Sequence, residues 1–154
     1  MSKVRKQKRK RLPDWEARLF TYLNSLRAAE LVFGQEDCVV GLAAGAVEAQ
    51  TGVDFAAAFK GKYSDERTAI KLMIEQGWTK AGSSLKDALI QMMDLHLQRA
   101  PKNNRHRGNI VLLETEAGPA FGVRVGTGIV GFSEGGGTRI FKAPRGHFYE
   151  WVVI

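Results

Sequence analysis

Apolar residues recur at helical spacing through residues 12–99 and at strand spacing beyond residue 108. Trp15, Leu19, Tyr22, Leu23 and Leu26 stand three and four positions apart, which predicts an amphipathic helix. Pro13, Asp14 and Glu16 suit its start, where proline is tolerated and acids complement the dipole. The run Cys38 to Gln50 is almost bare of charge and rich in alanine. It predicts a second helix buried on most sides, capped by Asp37 and followed by Gly52. A short helix is expected over Asp54–Phe59 and a longer one over Ser64–Glu75, with Ala69, Leu72 and Met73 on one side before Gly77. Ser84 and Asp87 then form a capping-box-like pair ahead of Leu85, Leu89, Met92 and Met93.

After a polar connection over residues 100–108 the period changes. NIVLLE, AFGVRV, GIVGFS, TRIFKA and HFYEWVVI are β-branched runs divided by glycine turns. Five short strands in succession predict an antiparallel meander, and helices followed by strands predict an α+β domain. The glycines of FSEGGGTRI suit a hairpin loop better than a phosphate cradle, because no helix follows them to supply a dipole.

The chain has 154 residues and a mean hydropathy of -0.21, enough for one domain with a real core. Its longest uncharged apolar run, Val39 to Val47, has nine residues, against roughly 20 for a membrane span. No apolar core follows the basic start, so no secretory signal is expected. One cysteine excludes an internal disulfide and a cysteine zinc cage. Three scattered histidines without acids at ligand spacing predict no metal site, and nothing calls for a cofactor.

The net charge of +7 is concentrated at one end. Lys3, Arg5, Lys6, Lys8, Arg9, Lys10 and Arg11 carry it, while the other 16 cations match the 16 acidic residues. Residues 1–11 therefore read as a partner-binding arm, and residues 12–154 as a formally neutral domain. An acidic protein surface is the expected partner, with nucleic acid reached only through the arm. A second basic cluster, Arg99, Lys102, Arg105, His106 and Arg107, falls on the polar connection; it could touch nucleic acid or an acidic partner, and solvated loop charge is the commoner outcome.

Cys38 follows Asp37 at the start of the buried helix. A thiol there meets unpaired N–H groups and the positive dipole end, which predicts a lowered pKa and a candidate nucleophile. Phe33, Gly34, Asp37 and Cys38 form F-G-x-x-D-C, Gly108 opens R-G-N-I-V-L-L, and AFGVRVGTG reads as strand, turn and strand. Together these resemble the NlpC-type papain-like cysteine peptidases of bacterial cell-wall turnover, in which D-C begins the catalytic helix, R-G-D opens the sheet and H-V-G-I-Y-L-G-N-G carries the histidine. More closely, Leu12–Leu19 (L-P-D-W-E-x-R-L) and Ala46–Asp54 (A-V-E-A-x-T-G-V-D) resemble a small domain family of phage and prophage tail-gene clusters.

The resemblance implies a papain-like α+β fold, a helical half packed on a five-stranded antiparallel sheet. It also places the family's general-base histidine at Ala120, which cannot accept a proton, and its third polar group near Gly131 or Phe132. A cysteine nucleophile needs an oriented base. His147, at the start of the last strand, is the candidate replacement. His106 follows it, and His96 ends a helical stripe. The expectation is therefore a structural component of a phage tail, at the tail tip or baseplate in the virion, contacting other tail proteins. The alternative is a cysteine peptidase or amidase cutting peptidoglycan during genome entry.

Overall fold

The stripes in the first half become helices because each has a start signal and one apolar side. In the computed structural model, which describes residues 10–28, 37–101, 105–116, 118–126, 128–133, 137–143 and 149–153, α1 spans Trp15–Ser25 and buries Leu19 and Leu23. Phe20, off that stripe, is 69% exposed. Residues Cys38–Ala44 wind as a π-helix, with the Leu42 N–H bonded to Asp37 O at 2.9 Å, and α2 continues over Gly45–Thr51. Gly52 ends it in the left-handed region, φ 81°, a conformation open to glycine. At Gly45 a methyl would overlap the Tyr22 phenol ring, whose hydroxyl donates to Gly41 O. Glycine there lets α1 close on α2.

Two helical expectations are corrected. Asp54–Phe59 is a series of turns: the Asp54 carboxylate accepts the Ala56 N–H at 2.9 Å, an Asx turn competing with the helical ladder. The next helix, α3, spans Glu66–Glu75 and starts from Asp65, which exchanges capping bonds with Thr68. Ser84 caps α4, Leu85–His96, by accepting from Asp87 N, as the sequence predicts.

The sheet is antiparallel but has six strands rather than five. It comprises β1 (Gln98–Arg99), β2 (Ile110–Thr115), β3 (Gly118–Val125), β4 (Gly128–Phe132), β5 (Thr138–Lys142) and β6 (Tyr149–Val152), in the order β1-β6-β2-β3-β4-β5. The added strand is two exposed residues directly after α4, with no apolar alternation to reveal it. It pairs with β6 through Gln98 opposite Val152 and Arg99 opposite Trp151. Strands β2 to β5 form the expected meander. Tyr149–Val152 returns to lie beside β2, with Ile110 opposite Trp151. Ile110, Leu112, Phe121 and Val123 join Leu42, Phe59 and Met92 in one buried core between sheet and helices.

One buried polar group ties the sheet to α2. Arg124 donates twice to Glu150, at 2.9 and 2.7 Å, and Asn109 Nδ2 donates to the same carboxylate at 2.7 Å. Gly108 N–H donates to Arg124 O at 2.8 Å, and Gln50 Nε2 donates to Gly108 O at 2.9 Å. Any side chain at Gly108, φ 91°, would run into Gln50 and Arg11.

Candidate functional site

Cys38 is placed by its cap and by the strand in front of it. The Asp37 carboxylate accepts from Val39 N at 3.0 Å and Val40 N at 2.7 Å, and from the Tyr63 hydroxyl. This buried residue is a helix cap, satisfying donors the first turn leaves unpaired. Cys38 keeps some accessible surface and opens onto a cleft of about 460 Å³. Ala120, Phe121, Gly131 and Phe132 line the same cleft. The position that the resemblance gives to a histidine is thus an alanine among the lining residues of the cleft that Cys38 opens onto.

The thiol pKa lies above its ordinary range, not below it. Burial pushes it up to about 12; the Phe121 backbone N–H opposes this, the Asp37 carboxylate reinforces it, and the Cys38 backbone N–H opposes it weakly. The lowered pKa expected from the helix start is corrected. Desolvation of a thiolate outweighs a few oriented N–H groups. Asp37→Asn keeps a competent cap and removes the nearby negative charge, so the thiol pKa falls. Alkylation by iodoacetamide at pH 9 should run about three- to tenfold faster than in the unaltered chain. An unchanged rate would show that Asp37 does not act on the sulfur.

The rim of the cleft was not legible beforehand. Lys86 and Glu114, paired at 2.7 Å, line the cleft together with Lys142 and Tyr149. Hydrogen bonding to Glu114 raises the Lys86 pKa. Phe141, 40% exposed, supplies an apolar wall. These residues come from α4, β2, β5 and β6 and share no sequence spacing that would group them.

The other singled-out residues scatter. His96 stacks on Phe55 at 4.6 Å and meets Trp78 edge-on at 5.2 Å. His106 lines a separate cleft with Arg105 and Arg107. His147 lies outside the described residues, as do Phe33, Gly34, Lys102 and the arm residues Lys3, Arg5, Lys6, Lys8 and Arg9. Lys10 is described and exposed. Arg11, read as part of the arm, belongs to the domain: its guanidinium lies 3.9 Å from the Trp15 ring centroid and donates to Gln50 Oε1 at 2.9 Å and Arg107 O at 3.1 Å. Desolvation lowers its pKa. Among the described residues no three His, Cys, Asp or Glu side chains form a metal-binding group, and no helix is long and apolar enough to cross a membrane.

Fold and cleft define an α+β domain in which a capped, protonated cysteine faces an antiparallel sheet. Its family follows from a match over residues 10–146: the chain belongs to the family described as Domain of unknown function (DUF6950). Comparison with curated proteins and with solved structures returned no match.

Proposed function

We propose that this protein is a structural component of a phage tail, at the tail tip or baseplate, built on a papain-like domain of NlpC type that holds rather than cuts. The reading rests on the sequence resemblance. The observation that carries its non-catalytic half is the protonated Cys38 thiol, in a cleft lined by Ala120 and with no histidine among its described lining residues. A thiol with a pKa of about 12 has almost no thiolate at neutral pH, and thiolate is the nucleophile. Residues 1–10 supply the charge for contact with an acidic surface of a neighbouring tail protein.

The test is made in assembled particles. Cys38→Ser should leave particle yield and infectivity unchanged, and deletion of residues 1–9 should remove the protein from the particle. Loss of infectivity in Cys38→Ser with normal assembly would overturn the reading.

A second reading is a cysteine peptidase or amidase acting on peptidoglycan. It is favoured by the cleft of about 460 Å³ onto which Cys38, at the start of a capped helix, opens. Under it, the purified protein releases peptides from cell-wall sacculi, and both Cys38→Ser and His147→Ala abolish the release.

A further inference from the structure

Two basic segments that are far apart in sequence meet on one surface. Arg11 and Trp15 on one side, and Arg105, His106 and Arg107 on the other, line an open cleft of about 410 Å³ together with Glu16 and Gly126. The two sides are joined directly, since Arg11 Nη2 donates to the Arg107 carbonyl across 96 residues of sequence. Glu16, the one carboxylate among the described lining residues, stands 3.5 Å from the Arg107 guanidinium, a loose, exposed pair of little energetic weight. Exposed Lys10 immediately precedes Arg11 in the chain.

We propose that this shelf binds the phosphodiester backbone of a nucleic acid, independently of base sequence. Guanidinium groups match phosphate oxygens in pairs, and the shelf presents those of exposed Arg105 and Arg107 beside the His106 imidazole, braced by Arg11, which is itself bonded to Gln50 and to the Arg107 carbonyl. A protein partner is a poorer fit. Protein interfaces centre on apolar contact, whereas the one large apolar group here, Trp15, is covered on a face by Arg11. The same cover removes a platform for base stacking, which leaves backbone charge as the recognised feature. The shelf belongs to a domain, residues 12–154, whose formal charges balance, so its field is local. This contact belongs to the folded surface and goes beyond the subunit contact proposed for the arm.

The test uses the full chain and a fluorescein-labelled DNA duplex of about 20 base pairs, with binding followed by anisotropy across a salt series. The unaltered protein should bind with log affinity falling linearly against log salt. Arg105→Ala/Arg107→Ala, with the arm intact, should flatten that slope by about 1.8 units, the loss of two phosphate contacts, and weaken binding at 100 mM salt by about tenfold or more. Arg107→Glu should weaken it similarly while circular dichroism stays unchanged, which guards against a folding defect. Scrambling the duplex sequence should change nothing. An unaltered slope in both variants, absence of duplex binding at 100 mM salt, or tighter binding of a poly-glutamate peptide of equal charge would each overturn the proposal.

Discussion

Arg124→Met should lower the unfolding free energy by about 3–5 kcal/mol, the usual consequence of leaving one partner of a buried ion pair uncompensated. Arg124 and Glu150 are only 5% and 7% exposed, and both guanidinium contacts to the carboxylate are short. Without Arg124 the Glu150 carboxylate would keep, among the described residues, its bond from Asn109, inside a sheet whose neighbouring positions Val111 and Ile129 are fully buried. At about 2–4 °C per kcal/mol for a domain of this size, the melting temperature should drop by roughly 10 °C. The double variant Arg124→Met/Glu150→Leu should recover most of the loss, because two apolar groups remove the charge along with its need for a partner. Chemical denaturation of the three proteins measures this directly. A single-variant loss below about 1 kcal/mol would mean that water reaches Glu150.

Ala120→His should produce the largest change in chemistry. With a thiol pKa of about 12, about one Cys38 in ten thousand is ionised at pH 8. The rate of alkylation by iodoacetamide in the unaltered chain should therefore rise about tenfold per pH unit through pH 11 without a plateau. An imidazole at position 120 enters the cleft that Cys38 opens onto, next to the residue whose backbone N–H already meets the sulfur. An imidazolium–thiolate pair there would bring the thiol toward the neutral range. The gain at pH 8 should be about 10²- to 10³-fold, less than the gain in thiolate because nucleophilicity falls with pKa. Peptide hydrolysis is not expected to follow. Gly131 and Phe132, on the same cleft, offer no group to orient the ring. An alkylation profile identical to that of the unaltered chain, with the fold intact, would show that position 120 does not serve the sulfur.

Local signals reached much of this molecule. The stripe of Trp15, Leu19 and Leu23, the Asp37 and Ser84 caps and the glycine-divided strands β2 to β5 all depend on neighbours within a few residues. Such patterns are written in residue order. Sequence pattern also located the cysteine at a helix start. It did not reveal β1, whose two exposed residues carry no periodicity, or the turn at Asp54–Phe59, where one carboxylate diverts the ladder.

What the sequence determined by itself is an α+β chain with a charge-dense start, a neutral remainder and a lone thiol at the head of a buried helix. Only the tertiary structure decided that this thiol stays protonated, because its solvation depends on what packs around it rather than on what precedes it. The same holds for the Arg124–Glu150 pair and for Arg11, which leaves the arm to stack on Trp15 and bond to residue 107. Those contacts join residues from 4 to 96 positions apart, and the strength of the Arg124–Glu150 pair comes from the exclusion of water, which no linear pattern records.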